Sequence, residues 1–134
     1  MPMTSPNNQP ANQLAILLWV TSPERADLAA APFVYAAVAA AMDCTVEIHF
    51  AGPSVRLLLP GVAASLYPST SREKSLYTFM QEAAAHGARF LGCSMAMNDH
   101  LAGQPGRIPE YAAAAGAGAF VSRSLDPGWR TMVF

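Results

Sequence analysis

The segment between Cys93 and His100 contains the side chains best suited to chemistry. It offers a thiol at Cys93, thioethers at Met95 and Met97, and an imidazole at His100. A cysteine thiolate is a strong nucleophile, and His100, seven residues further along, is a candidate base or orienting group for it. The spacing therefore makes Cys93 a candidate for thiol chemistry. Two alternatives remain open: the same soft ligands would suit Cu(I), and a cysteine is often simply a small buried side chain.

The elements predicted around this segment alternate between strands and helices. Such alternation produces βαβ units and a parallel sheet with helices on both faces. We therefore predict a single three-layer, doubly wound α/β domain, flavodoxin-like, with about five mostly parallel strands. The predicted strands are Leu14–Val20, Thr45–Phe50, Ala88–Gly92, Ala117–Ser122 and Arg130–Phe134, and the predicted helices are Glu24–Met42, Arg72–His86 and Ile108–Ala115.

Candidate binding residues follow from where the predicted strands end. Open parallel sheets bind ligands beyond the carboxyl ends of their strands, at the point where the strand order reverses. With the order 2-1-3-4-5, that crevice lies between the first and third strands. Free backbone N–H groups of a helical turn beginning near Ser94 would stabilise a thiolate on the preceding cysteine. The candidates are Thr21 and Ser22 after the first strand, Ser94 and Met95 after the third, and His49 near the end of the second.

The second cysteine, Cys44, is predicted to lie at the opposite edge of the sheet. It opens the second strand, whereas Cys93 follows the end of the third. A strand of five or six residues spans roughly 17–20 Å, but a disulfide needs Cα atoms within about 7 Å. We therefore expect no disulfide within one subunit, and we assign Cys44 to core packing.

The composition indicates a single folded domain that forms oligomers. The chain has 134 residues, 52% of them hydrophobic and only 13% charged, a balance opposite to that of disordered chains. So much apolar surface favours buried subunit contacts as well as a core. The net charge is −1 and the arginines are scattered, which argues against nucleic-acid binding. We expect a flexible tail over residues 1–12 and one domain over 13–134.

Membrane insertion and cofactor binding also lack sequence support. The longest helical apolar stretch, Leu28–Met42, contains Pro32 and is shorter than the roughly 20 residues of a membrane span. The N-terminus lacks the positive region of a secretory signal, so we expect a cytoplasmic protein. Gly116-Ala117-Gly118 follows a predicted helix rather than a strand, so we interpret it as a helix C-cap and not as a dinucleotide loop. No cofactor and no bound metal are expected.

Several segments together resemble the DsrE/DsrF-like family of small sulfur-handling proteins, in particular its peroxiredoxin-labelled branch. The resemblance covers roughly residue 13 to the end and is most specific in the sequence CSMAM at 93–97. The other segments are LAILLWV at 14–20, AAAM at 39–42, VEIHF at 46–50, LLPG at 58–61, IPEY at 108–111 and WRTMVF at 129–134.

The resemblance implies a sulfur-relay function. In such relatives the cysteine at the position of Cys93 carries sulfur as a persulfide, and the proteins assemble as trimers or hexamers. Our hypothesis is therefore a homotrimeric or homohexameric sulfur carrier or sulfurtransferase that exchanges sulfur with a donor or acceptor protein. Two alternatives stay open: a non-catalytic module that binds a small ligand or Cu(I), and a structural subunit of a larger oligomer.

Overall fold

A five-stranded, all-parallel β-sheet forms the centre of the protein in the computed structural model, which describes residues 11–134. Helices cover both faces of this sheet, so the predicted three-layer α/β class is confirmed. The strands are β1 (Gln13–Leu18), β2 (Thr45–Phe50), β3 (Arg89–Gly92), β4 (Tyr111–Ala114) and β5 (Trp129–Val133). The α-helices are α1 (Ala26–Ala41), α2 (Leu76–Ala85), α3 (Ser94–Leu101) and α4 (Ala117–Leu125), and short 3-10 helices cover Pro23–Arg25, Gly52–Leu58 and Ala63–Ser65.

The strand order is β4-β3-β2-β1-β5, which differs from the order 2-1-3-4-5 considered above. The chain adds strands in one direction from β1 to β4 and then crosses to the other side of β1 to form β5. As a result β2, and not β1, is the neighbour of β3. The carboxyl end of β2 therefore lies beside the residue that follows β3, which is Cys93.

The two faces of the sheet differ in chemistry because side chains alternate along each strand. On one face of β2, the side chain of Phe50 packs with Phe33 of α1 and Phe90 of β3. The centroid of the Phe33 ring lies 6.0 Å from that of Phe50 and 5.9 Å from that of Phe90. The opposite face of β2 presents the polar side chains Glu47 and His49, which α4 covers.

Two predicted elements near the C-terminus are wrong in type. Residues predicted as the helix Ile108–Ala115 contain strand β4, and those predicted as the strand Ala117–Ser122 form helix α4. Alanine favours helices, but here pairing of β4 with β3 overrides that local preference. Gly116 is consequently the N-cap of α4 after a strand, and not the C-cap of a helix.

The N-terminal part of the chain joins the sheet just before β1. The predicted tail covers residues 1–12, of which residues 1–10 lie outside the described residues. The carbonyl of Asn12 accepts a hydrogen bond of 3.0 Å from the N–H of Thr45, so this residue already belongs to the parallel ladder. No helix within residues 11–134 is both long enough and apolar enough to cross a membrane.

Candidate functional site

A cavity of about 620 Å³ opens at the carboxyl edge of the sheet. Its size falls within the range of roughly 300–1,000 Å³ that is typical of small-molecule sites. The ends of β1, β2 and β3 and the first turns of α3 and α4 surround it. The lining residues are Leu17, Trp19, His49, Phe50, Ala51, Gly52, Cys93, Ser94, Met95, Ala96, Asp99, His100, Ala115, Gly116, Ala117, Phe120 and Val121.

Cys93 lies in the wall of this cavity, between the end of β3 and the start of α3. Its N–H donates to the carbonyl of Phe50 at 2.9 Å, and its own carbonyl accepts from Met97 at 2.9 Å. It is therefore the N-cap residue of α3, where the unpaired N–H groups of the first turn favour negative charge. The thiol is half-buried and free, and so is Cys44 before β2. As predicted, the two cysteines are not joined by a disulfide.

The other predicted residues of this segment lie at the mouth of the cavity. Ser94, Met95 and His100 are exposed, and all three contribute to its lining. His100 occupies the last turn of α3, roughly 10 Å along the helix axis from Cys93 at 1.5 Å per residue. Met97 is half-buried and does not line the cavity, and its Sδ lies only 3.0 Å from where a Cβ on Gly92 would be. Within residues 11–134, no three His, Cys, Asp or Glu side chains are grouped so as to hold a metal ion.

A buried polar network lies beneath α4 and reaches the cavity through His49. The Nε2 atom of His49 lies 3.0 Å from Oε1 of Glu47. The guanidinium of Arg123 donates two hydrogen bonds to the same carboxylate, at 3.1 and 2.9 Å. The ring of Phe120 meets that of His49 edge-on, with centroids 5.4 Å apart, and Arg123 stacks over Trp129. His49 is thus fixed in orientation by Glu47 of β2 and Phe120 of α4, and Glu47 is in turn held by Arg123.

The protonation states of this network follow from burial and charge. Burial raises the pKa of Glu47, but hydrogen bonds from Arg123 and His49 outweigh it, so the carboxylate stays ionised with its pKa below the ordinary value. Burial lowers the pKa of His49 more than its hydrogen bond with Glu47 raises it, so the ring is neutral at pH 7. Because an ionised carboxylate can only accept, Nε2 of His49 carries the hydrogen. The lone pair is then on Nδ1, which has no partner among the described residues.

Acidification is expected to destabilise the protein through this network. The ordinary pKa of histidine is 6.5 and that of His49 is lower, so below this pH the unfolded chain takes up a proton that the folded chain does not. The stability that neutral His49 supplies above pH 6.5 is therefore lost as the pH falls. Glu47, whose pKa is lowered from 4.5, adds a second loss below that pH. The charged groups that face the ring are Glu47 and Arg123.

Thermal unfolding at about pH 7.5 and about pH 5.5 tests this expectation. The melting temperature of the wild type should fall more between the two values than that of a His49→Phe variant, because the variant lacks the titrating ring. Equal falls in both proteins would show that His49 does not contribute.

The chain matches no known protein-family model and no curated protein. The resemblance to DsrE/DsrF-like proteins therefore stays a prediction.

Thr21 and Ser22, predicted as binding residues, do not line the cavity. The N–H groups of Trp19 and Val20 both donate to the carbonyl of Phe134, at 2.7 and 3.1 Å. These bonds hold the segment after β1 next to the C-terminus of the chain and not next to β3. Thr21 is buried there, and Ser22 precedes the first 3-10 helix. Of the residues after β1, Trp19 contributes to the cavity instead.

Sequence reasoning missed the side of the cavity that α4 supplies. Gly116 was predicted as a helix C-cap, and Phe120 and Val121 were predicted as part of a strand. The missed signal is the glycine itself, since a strand followed directly by glycine and a helix is a common arrangement at ligand sites. No local pattern in the sequence links Glu47 with Arg123 either, because the two residues are 76 positions apart.

Proposed function

We propose that this protein carries sulfur as a persulfide on Cys93. The observation that supports this most directly is the position of Cys93, a free and partly accessible thiol at the N-cap of α3 and in the wall of a cavity. A packing cysteine would need none of these features. The sequence resemblance described above points to the same chemistry at the same residue.

The proposed reaction is a thiol–persulfide exchange with no net oxidation. The Cys93 thiolate attacks the outer sulfur of a donor persulfide, R–S–SH. A new S–S bond forms to Cys93 as the donor's S–S bond breaks, and the departing thiolate R–S⁻ takes up the proton that the Cys93 thiol gave up. An acceptor thiolate then attacks the outer sulfur of the Cys93 persulfide, so Cys93 leaves as a thiolate and the acceptor becomes the persulfide.

The surroundings of Cys93 favour this role over disulfide formation. The thiol of Cys93 is partly accessible and lies in the wall of the cavity, where a donor or an acceptor can reach it. Cys44 lies at the amino end of β2, and Cys93 follows the carboxyl end of β3. Because β2 and β3 are parallel, the two cysteines lie at opposite edges of the sheet. A persulfide on Cys93 is therefore out of reach of the chain's other thiol.

The proposal includes a partner protein and a homo-oligomer, for which exposed apolar side chains give support. Trp19 and Val121 lie at the mouth of the cavity with 60% and 50% of their surfaces exposed. Exposed apolar groups around a reactive centre are typical of contact surfaces. A homotrimer or homohexamer, as the resemblance implies, would cover part of this surface. Two free thiols are also what a reducing compartment such as the cytoplasm favours.

Intact-mass spectrometry after incubation with a persulfide donor tests the proposal. The wild type and a Cys44→Ser variant should each gain the mass of one sulfur atom, whereas Cys93→Ser should gain none. The added sulfur should leave when a thiol acceptor such as glutathione is added. Sulfur uptake that persists in Cys93→Ser would contradict the proposal. So would a wild type that gains no sulfur and whose Cys93 resists alkylation until the protein unfolds.

A further inference from the structure

We infer that one side of helix α1 joins two copies of this chain across a two-fold axis that passes beside Tyr35. The contact surface consists of Leu28, Tyr35 and Met42 on α1 and Met132 on β5, and is called the α1–β5 surface below. The inference builds on the homo-oligomer included in the proposed function and assigns it a surface and a symmetry. It does not depend on sulfur transfer at Cys93.

Helix α1 lacks the polar outer face that a helix on a solvent-exposed surface normally has. Residues 28–42 include no charged side chain. Several large apolar side chains in this stretch are nevertheless exposed over half or more of their surface, namely Leu28, Tyr35, Val38 and Met42, at 57%, 52%, 54% and 71%. An exposed helix face of this kind is typical of a surface that another protein covers.

Three of these exposed side chains lie along the side of α1 that faces β5. Leu28, Tyr35 and Met42 are seven residues apart, which is close to two helical turns. The ring of Tyr35 contacts that of Phe134, directly after β5, with centroids 5.7 Å apart. Side chains alternate along a strand, so Met132, two residues before Phe134, lies on the same face of the sheet, where it is 42% exposed. The α1–β5 surface is therefore apolar from one end of α1 to the other.

The order of the residues on α1 indicates that the partner is a second copy of this chain. Tyr35 lies midway between Leu28 and Met42. When two α1 helices pack antiparallel about a two-fold axis at Tyr35, Leu28 of each copy therefore meets Met42 of the other. All three side chains are uncharged, so the symmetric contact brings no like charges together. The surface is thus complementary to itself, as an interface between identical copies across a two-fold axis must be.

The size of this surface also fits a stable contact between two copies. The α1–β5 surface and the adjacent Val38 expose on the order of 500 Å² per copy, close to the apolar share of the roughly 800 Å² that each partner contributes to a standard interface. A two-fold contact of this size forms a dimer by itself, or joins the two halves of a homohexamer.

Sedimentation velocity of the full chain tests the inference. The wild type should contain an even number of copies, because the contact joins copies in pairs. In a Tyr35→Glu variant two carboxylates would meet at the axis, so the assembly should fall to half as many copies. Val34→Glu is the matched control. It adds the same charge to an exposed position one residue earlier on α1, about 100° around the helix, and should leave the number of copies unchanged.

Disulfide cross-linking tests the same contact if Tyr35→Glu does not fold. Leu28→Cys and Met42→Cys are each made in a chain that also carries Cys44→Ser and Cys93→Ser. The two proteins are then mixed, allowed to exchange subunits, and oxidised by air with copper phenanthroline. The mixture should form a covalent dimer of the two variants. Neither variant alone should do so, because the two copies of one position lie roughly 21 Å apart along the antiparallel pair and a disulfide needs Cα atoms within about 7 Å.

Four results would each overturn the inference. They are a monomeric or trimeric wild type, a folded Tyr35→Glu variant with the wild-type number of copies, an equal loss of copies in Val34→Glu, and a mixture that forms no covalent dimer. No persulfide donor is present in these experiments, so failure of the relay proposal would not affect them. Conversely, a monomer that still takes up sulfur would overturn the two-fold contact and leave the relay proposal standing.

Discussion

Replacing Phe33 with alanine is expected to lower the free energy of unfolding by about 3–5 kcal/mol, the usual cost of removing a buried aromatic ring. Phe33 projects from α1 with none of its surface exposed. Its ring contacts Phe50 and Phe90, which are themselves packed with centroids 5.3 Å apart. The cavity left by the variant would be bordered by rings from two neighbouring strands, which cannot close around it without moving the sheet.

Urea denaturation followed by circular dichroism measures this change. Val34→Ala is the matched control, because the next residue on α1 is 39% exposed and its truncation should cost less than about 1 kcal/mol. The Phe33→Ala variant should also weaken the site, since Phe50 lines the cavity and its carbonyl accepts from Cys93. A loss below about 1 kcal/mol in Phe33→Ala would contradict the assignment of this ring to the centre of the core.

The first half of the chain shows what local pattern can predict. The apolar run from Leu14 and the β-branched run Thr45–Phe50 form β1 and β2, the latter with the predicted bounds. Each run is long enough for a strand and is followed by helix-breaking or turn-forming residues, so the length of the run and the residues that end it both predict a strand. The position of Cys93 follows from the same logic, because it depends only on where β3 ends.

The C-terminal third could not be predicted in the same way. The segment from Tyr111 to Phe120 is mostly alanine and glycine, and such side chains carry almost no periodic signal. The high helix propensity of alanine therefore predicts a helix where β4 forms. The outcome was decided by pairing with β3, a contact between residues distant in sequence. Because this segment was assigned to the wrong type of element, the residues of α4 that line the cavity were not predicted either.

The composition of the site depended on strand order, which no local pattern encodes. With β1 beside β3, Thr21 and Ser22 would have faced Cys93. In the observed order β2 is the neighbour of β3, so His49 lines the cavity together with Cys93, and the segment after β1 is bonded to Phe134 instead. His49 was named as a candidate from its place near a strand end. The position of the proton on its ring depends on Arg123 through Glu47, and only the fold brings Arg123 near.

The second large effect on stability is expected at the ion pair between Arg123 and Glu47. Replacing Arg123 with methionine should lower the free energy of unfolding by about 2–3 kcal/mol at neutral pH, because two hydrogen bonds to a charged group are lost and a buried carboxylate is left without its cation. Solvent reaches Arg123, whose side chain is 37% exposed, which keeps the loss below that of a fully buried pair. Methionine retains much of the apolar stem over Trp129.

Two further measurements separate this electrostatic cause from lost packing. Adding Glu47→Gln to Arg123→Met should recover a large part of the stability, because the amide carries no charge to leave unpaired. The difference between wild type and Arg123→Met should also shrink as the pH falls toward 4.5, the ordinary pKa of glutamate. In the variant, protonation of Glu47 removes the penalty, whereas in the wild type it removes the benefit of the pair. If the difference in stability between wild type and Arg123→Met is the same at neutral pH and near pH 4.5, the ordinary pKa of glutamate, Arg123 acts through packing. The ion pair with Glu47 would then no longer explain the tautomer of His49.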